Sequence, residues 1–559
     1  MICLNLLKLL LTKMIFMKNI VYCLITSFFL FYSEAHSQIN EPTSSEVYSY
    51  LYRLSQKGLI DFANYILPLD RASIHKALSD LSKKQSEMSE VERKELAFYS
   101  KEFYYDNQSG VDTCFKIGFF KKDINGRFRT AALSQKFFQL FIDPYLGSSY
   151  TYSNKGTNLT YFNGLRASGK LGKNFGFSFL FRDVTEKGDT INFDRDFTNQ
   201  KGITKSSTSQ NMLNYSELNF NLSYKWSNGL ISIGKENMVW GFGNNGNNLV
   251  LSEKSPSYPY IRLDYRPFKW FHFNYMHGWL MSNIIDSNRI YNTGSSTYGG
   301  IREVYVSKFF ATHSITVSPK KGLDISLGES IVYSDKFDVG YLLPINFFKS
   351  YDHWVSNQNI NAGSNAQFFA QVSSKNHIKN THLYTQIFID EIRLSTMFNK
   401  QQRRNQLGYL LGINITDIGL KYFSIGVNYT RINPFVYNNL IPAQTYKNSG
   451  YSLGDWMGSN SDRLNLFFNY TPLARLKIRG NLEFLRKGGM GTIQQQYLQL
   501  PQPDFLFDLK FKQQNSNLIV SYEWINSLKT NFEFRHFRRN YLQSSQNDYS
   551  LMFGISYGL

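Results

Sequence analysis

The chain has 559 residues, of which 42% are hydrophobic, 16% aromatic and 18% charged, with a net charge of +19. A mean hydropathy of −0.34 is too polar for a bundle of membrane helices, and the abundance of Phe and Tyr excludes a disordered chain. The length fits several soluble domains or one large closed β structure, and the basic balance favours acidic partners such as lipid phosphates, acidic glycans or nucleic acid.

Residues 1–37 read as a secretory signal. Lys8, Lys13 and Lys18 supply positive charge, Ile20 to Tyr32 form a short apolar core, and Ala35-His36-Ser37 is a cleavage site before Gln38. Met17 is an alternative start that gives a more ordinary signal length. The apolar run is short for a membrane helix, which needs about 20 residues. Cleavage removes Cys3 and Cys23 and leaves Cys114, so no disulfide within the mature chain is expected. An exported chain rarely meets nucleic acid, which leaves lipid phosphates or an acidic glycan as the acidic partner.

Residues 38–106 have helical period and predict a small periplasmic module of three helices. Thr43-Ser44-Ser45-Glu46 reads as a capping box, followed by Val47, Tyr50, Leu51 and Leu54 at i, i+3, i+4, i+7. Gly58 suits the C-terminal cap. Asp70 opens a second helix with Ile74, Ala77, Leu78 and Leu81, and Ser89-Glu90-Val91-Glu92 is a capping box for a third with Leu96, Tyr99 and Phe103. Such a module is marginal alone, so it is expected to dock on something larger. Its charges read as a solvated face.

Residues 112–559 change to period 2. Leu218, Phe220, Leu222, Tyr224 and Trp226 alternate with Asn219, Asn221, Ser223 and Lys225. The same holds for Leu476, Ile478, Leu482 and Phe484, for Leu518, Val520, Tyr522 and Trp524, and for Tyr549 to Leu559. Alternation alone also fits a soluble sandwich. Strands of about 10 residues match a tilted bilayer crossing. Short connections (Ser227-Asn228-Gly229, Arg266-Pro267-Phe268, Thr471-Pro472-Leu473, Ile525-Asn526-Ser527) alternate with long ones near 185–213, 240–258, 281–300, 335–364, 433–461 and 487–503, as in outer-membrane barrels. The terminal Gly554-Ile555-Ser556-Tyr557-Gly558-Leu559 resembles the signal read by the outer-membrane insertion machinery. In lipid every backbone amide needs a partner, so the strands must close into a ring. The expected fold is an all-β transmembrane barrel of roughly 18 to 20 antiparallel strands, with the helical module available to occlude its periplasmic mouth.

The chain has no H-E-x-x-H, no G-x-S-x-G, no Walker A loop and no Cys cluster, so neither an enzyme nor a metal or other cofactor is expected. His272 and His277 lie on a strand pattern and read as wall or lumen residues. Asp183, Glu186, Asp189, Asp194 and Asp196 read as a solvated acidic loop. Two long connections, Glu236 to Ser252 and Arg431 to Asn460, mix aromatics with Asn, Asp and Arg. A pyranose lays its C–H face on a ring while amides and guanidinium groups bond its hydroxyls and carboxylates. A plain structural reading assigns the aromatics to an interfacial girdle and the Asn to turns. The candidate glycan contacts are Trp240, Asn244, Asn245, Arg431, Tyr437, Asp455 and Trp456.

At these residues the chain resembles the Wzi family of outer-membrane capsule-assembly proteins, in a Bacteroidetes-type version. Val47-Tyr48-Ser49-Tyr50-Leu51-Tyr52-Arg53-Leu54 with Lys57-Gly58-Leu59-Ile60 is similar to the family's opening helix. Trp240-Gly241 followed by Leu249-Val250-Leu251-Ser252 resembles its W-G and L-x-L-S segment, and Leu453-Gly454-Asp455-Trp456-Met457-Gly458 its L-G-H-x-x-G loop, with Asp455 in place of His. The resemblance implies 18 strands, a periplasmic helical bundle and a surface lectin that retains capsular polysaccharide. The expected partners are therefore a surface or capsular polysaccharide, outer-membrane lipids and the insertion machinery. The rival readings are a diffusion channel or porin and, less well supported, a barrel lipase. The helical module also loosely resembles cell-wall-binding surface-layer repeats.

Overall fold

The computed structural model describes residues 39–106, 115–123, 125–135, 137–172, 174–243, 247–358 and 363–558. The signal reading of 1–37 therefore lies outside the described residues. Eighteen antiparallel strands close into a barrel. They are β1 Phe138–Ser153, β2 Gly156–Leu171, β3 Phe175–Gly188, β4 Met212–Trp226, β5 Gly229–Glu236, β6 Tyr258–Phe268, β7 Phe271–Ile285, β8 Tyr305–Lys320 and β9 Leu323–Ser334. The ring continues with β10 Asn365–Lys375, β11 Thr381–Ile392, β12 Asn405–Thr416, β13 Phe423–Ile432, β14 Ser461–Leu473, β15 Leu476–Lys487, β16 Phe511–Ile525, β17 Leu528–Tyr541 and β18 Ser545–Tyr557. Each strand pairs with the next in sequence, and β18 returns to β1, Tyr557 opposite Leu146 and Ser550 opposite Ser153. The ring leaves no open sheet edge.

The pattern of exposure is inverted relative to a water-soluble sheet. On β4, Phe220 and Leu222 are exposed while Asn221 and Ser223 are buried. On β8 and β9, Ile315 and Leu327 are exposed while Ser314, Thr316 and Ser326 are buried. Apolar side chains thus form the outer face and polar ones the filled interior, which is the arrangement a hydrocarbon solvent selects.

The two ends differ. One carries tight turns such as 227–228, 269–270 and 526–527, and the other carries the long connections 189–211, 237–257, 286–304, 335–364, 433–460 and 488–510. Two expected turns are displaced. Arg266-Pro267-Phe268 and Thr471-Pro472-Leu473 are the last residues of β6 and β14, and the turns follow at 269–270 and 474–475. The ladder shifts register between Tyr265 and Phe268 and between Tyr470 and Leu473. Proline cannot donate to a ladder but fits a bulge.

Three helices, α1 Val47–Gln56, α2 Arg71–Ser82 and α3 Glu90–Glu102, sit at the tight-turn end. They share a core of Val47, Leu51, Leu54, Ile74, Leu78 and Leu96, onto which the turn residue Tyr422 also packs. The Ser89 capping box forms, with the Glu92 amide donating to Ser89 Oγ and the Ser89 amide to Glu92 Oε2. Asp70 caps α2 through the Ser73 amide at 2.7 Å. The first capping box does not form. Glu46 is drawn instead to Arg479 and Lys477 of β15, and Thr43 donates to Glu253. Two cations in a closed lumen outcompete one local amide bond.

The expectation of a solvated charged face is corrected by the same docking. Arg53 bridges Glu92 of α3 and Asp417 of the 417–422 turn, and Lys57 does likewise at 2.8 and 3.1 Å. Arg71 is buried between Glu41 at 2.6 Å and Asp106 at 2.9 Å. Only pairs such as Lys83–Asp80 and Lys94–Glu90 remain on an exposed face. Burial alone would raise the carboxyl of Glu92, but Arg53 and Lys57 outweigh it and hold the group down at about 2. Glu46 is held well below the carboxylate range in the same way, against burial, by Arg479 and Lys477.

Candidate functional site

The 237–257 connection folds back into the barrel. Val239–Trp240 and Leu251–Ser252 pair with one another, and Ile66–Leu67, from the segment joining α1 to α2, adds a third strand with Ile66 opposite Trp240. The lumen is therefore filled from both ends, by the helical module and by an inturned long connection that meet in one small sheet. Gly241 makes this possible. At φ 145° it donates its amide to Tyr65 O at 2.7 Å, and a side chain there would strike Asn248 and Gln386.

The 433–460 connection packs directly on the first. Tyr437 Oη donates to Leu249 O at 2.7 Å, Tyr446 Oη donates to Val250 O at 3.1 Å, and the Ser252 amide donates to Leu453 O at 3.0 Å. Burial, with the Asp455 carboxylate nearby, pushes the Tyr437 phenol well above its ordinary range, so it stays a donor. Gly454 lies in this seam, where a Cβ would come within 2.4 Å of both Leu249 O and Tyr437 Oη. The two connections singled out in the sequence, far apart in the chain, thus form one body. Lys254 ties the 189–211 connection to it by donating to the carbonyls of Arg195, Thr198 and Gln200 at 2.6 to 2.9 Å.

Within that body the sequence candidates take different places. Trp240, Tyr437 and Asp455 are buried, and Trp240 belongs to the same apolar cluster as Phe369 and Phe388. Asp455 forms an ion pair with Arg463 of β14 at 2.7 Å and accepts the Met457 amide at 3.0 Å. These three residues are the floor that holds the connections. Trp456 is buried in the same cluster, ring to ring with Phe197 and beneath the buried Arg463 guanidinium. Arg431, on the outward face of β13, is half-buried with its guanidinium 3.8 Å over the Phe505 ring. Asn244 and Asn245 lie outside the described residues. His272 is luminal and bonded to Tyr65, whereas His277 lies on the outward face of β7, opposite Ala311, bonded to Tyr333 and covered by Phe337 of the 335–364 connection. In the acidic segment, Glu186 pairs with Arg195 at 2.6 Å and Asp194 with Lys205 at 2.7 Å.

Between the helical module and β1–β5 lies a cavity of about 620 Å³. Its lining mixes charges of both signs with apolar surface from Leu67, Phe179, Val239 and Phe467. Arg182 meets Glu217 at 2.8 Å, Arg166 meets Glu41 at 3.2 Å, and Arg479 meets Glu46. Asn199, Asn219, Asn237 and Asn248 contribute amides.

One feature escaped the sequence reading. The 335–364 connection carries a helix, α4 Phe348–Gln358. Its first amides, those of Phe348 and Lys349, donate to the Glu329 carboxylate of β9 at 2.6 and 3.4 Å, which satisfies orphan donors and opposes the helix dipole. Phe348 anchors it in a cluster with Tyr275, Phe309, Tyr333 and Tyr341. Tyr351, packed against that cluster, stacks with Trp354 at 6.0 Å and 30°, and Trp354 is 61% exposed. Tyr351, Trp354 and the intervening Asp352-His353 were visible as a cluster in the sequence, but the helical step that aligns the two rings was not.

Among solved structures, the chain is similar to Wzi, described as an outer membrane protein involved in group 1 capsule assembly in Escherichia coli and as a carbohydrate-binding β-barrel. The TM-score is 0.57 at 12% identity, covering 94% of this chain and 99% of that one. Lesser matches include OccK5 (OpdH) of Pseudomonas aeruginosa, with TM-score 0.40, 11% identity and coverage of 75% and 97%. Another is OccAB2 of Acinetobacter baumannii, with TM-score 0.42, 10% identity and the same coverage. The likeness to Wzi is one of fold. No family model matches the chain, and no curated protein matches it by sequence.

Proposed function

We propose that the chain is an outer-membrane barrel lectin, without enzymatic activity, that binds and retains a capsular or other surface polysaccharide. The long connections face the cell surface, the helical module faces the periplasm, and the insertion machinery reads the last strand. Residence in the membrane is supported by the apolar outer face and by the exposed aromatics Phe268, Trp270 and Trp524 near the tight-turn end, which match an interfacial girdle.

The observation that carries the lectin reading is the fusion of the 189–211, 237–257 and 433–460 connections into one packed body. A fixed surface can meet a polymer without a large ordering cost. On the separately packed 335–364 connection Tyr351 and Trp354 supply a stacking platform, while Arg431 supplies a cation for uronate or other acidic groups, and Asn244 and Asn245 further contacts. Trp240, Tyr437, Asp455 and Trp456 support that surface from below. Weak contacts repeated along a chain then give retention by avidity. The test is the double variant Trp354→Ala with Arg431→Gln. It should release surface polysaccharide from cells and weaken a polysaccharide pull-down about thirtyfold, from roughly 1 kcal/mol for the ring and a similar amount for the charge, while heat-modifiable barrel assembly is unchanged. Wild-type retention by this variant would overturn the reading.

A second reading, a diffusion channel for polar solutes, is favoured by the charged cavity. Planar-bilayer conductance separates the two, because a channel gives steady openings and a filled barrel stays nearly silent.

A further inference from the structure

The hydrogen-bond register of β13 to β17 places five outward-facing residues in one row. Arg431 is opposite Asp462, Asp462 opposite Arg486, Arg486 opposite Lys512, and Lys512 opposite Asn540. The row lies next to the long connections. The row beneath it runs Tyr429, Leu464, Phe484, Gln514 and Arg538 in the same register. The next row carries Leu466, Leu482, Ser516, His536 and Tyr549, and the one below it turns apolar, with Leu518, Phe534 and Leu551 exposed. A cleft of about 370 Å³ opens on the wall here, lined by Arg486, Lys512 and Asn540 of the upper row and by Leu464, Phe484 and Arg538 of the lower one.

The charge in the cleft is unbalanced. Asp462 is its one carboxylate, and both its oxygens are engaged, by Arg486 Nε at 3.0 Å, by a second Arg486 nitrogen and by the Tyr429 hydroxyl at 2.9 Å. Lys512 and Arg538 are exposed and make no ion pair among the described residues. A Lys or Arg on a hydrocarbon-facing wall is costly at depth but favourable where anionic headgroups begin. Two unpaired cations beside Leu464 and Phe484, with Leu518 and Phe534 further down the wall, fit a ligand with an anionic head and acyl chains.

We propose that this cleft is a binding site for the phosphate-bearing headgroup of an outer-leaflet lipid, with Lys512 and Arg538 on the phosphate and Phe484 and Leu464 against the acyl chains. The site rests on the membrane reading of the barrel and is independent of polysaccharide binding.

The experiment titrates the full-length protein in neutral detergent with diphosphoryl lipid A. It reads bound lipid by native mass spectrometry and the shift in unfolding temperature. Wild-type protein should bind. Lys512→Gln with Arg538→Gln should bind about thirtyfold more weakly, from two surface cations at about 1 kcal/mol each. The charge-preserving pair Lys512→Arg with Arg538→Lys should bind like wild type, which guards against a folding defect. Removing the lipid's phosphates should cost the wild type as much as the Gln pair does. Equal binding by the Gln pair or by dephosphorylated lipid would overturn the proposal. So would inorganic phosphate protecting as well as the lipid, which would make the ligand a free anion. Displacement of the lipid by an acidic polysaccharide fragment would overturn it too. Incorporation into phosphatidylcholine vesicles is read in parallel: failure there overturns the membrane reading itself, whereas incorporation without phosphate dependence overturns this site alone.

Discussion

Asp455 and Arg463 form an ion pair at 2.7 Å with both side chains fully buried. The pair joins the 433–460 connection to the barrel wall. Removing one partner of such a pair leaves a buried charge unpaired, at about 3–5 kcal/mol. Asp455→Ala should therefore lower the unfolding temperature of the purified barrel markedly, and Asp455→Asn should do so less. An apolar pair, Asp455→Leu with Arg463→Met, should recover much of the loss. A single Asp455→Ala variant as stable as wild type, by thermal unfolding in detergent, would contradict the assignment.

Gly454 offers a milder way to separate the two packed connections. A side chain at this position must push apart Leu249 O and Tyr437 Oη. Gly454→Val should cost about 1–3 kcal/mol and raise protease cleavage within 237–257 and 433–460, while the eighteen strands still assemble. Polysaccharide retention should fall with it if the packed body is the binding surface. Cleavage patterns by mass spectrometry report the first effect and cell-surface staining the second.

The docking of the helical module should depend on acid. Glu92 titrates at about 2 in the folded protein, and Glu46 and Glu102 are held well below the carboxylate range by their Arg and Lys partners. An unfolded Glu titrates at about 4.3. A depressed folded value contributes stability that is present above the unfolded value and lost as pH falls through the folded one. Glu92 alone then contributes roughly 3 kcal/mol near neutral pH. The module should loosen between about pH 4 and pH 2, and Glu92→Gln should be less stable at neutral pH with a flatter acid response. Hydrogen exchange of α1 and α3 across that range measures it, and an unchanged profile would count against the ion pairs.

The wall was legible in the sequence because a strand's period of two is written residue by residue. Phe220 and Leu222 against Asn221 and Ser223 is a local alternation, and the structure places them outside and inside. Caps were legible where nothing competed. The Ser89 box formed, and the Thr43 box lost Glu46 to Arg479, a residue 433 positions away. Tertiary partners of that kind leave no trace in spacing. The same limit applies to the candidate site. Trp240 and Trp354 look alike as aromatic residues in long connections, but one pairs with Ile66 inside the lumen and the other stands free on a helix that Glu329 caps. Composition marked the two singled-out connections as unusual, and only the fold separates their floor from their surface.

The sharpest test of the barrel itself compares neighbouring positions on opposite faces. Leu518 on β16 points outward at the level of the apolar wall, opposite Phe534. Ser550 on β18 belongs to the opposite, inward-facing set, beside the outward Leu551. If the outer face meets hydrocarbon, Leu518→Arg should cost about 2–4 kcal/mol, whereas Ser550→Arg should be nearly neutral because luminal positions remain solvated. In water the preference would reverse, since an exposed Arg is harmless and a half-buried one is not. Folding yield into vesicles, read as the fraction that resists protease and shifts on an unheated gel, decides between them. Equal tolerance at the two positions would remove the physical basis for placing this barrel in a membrane.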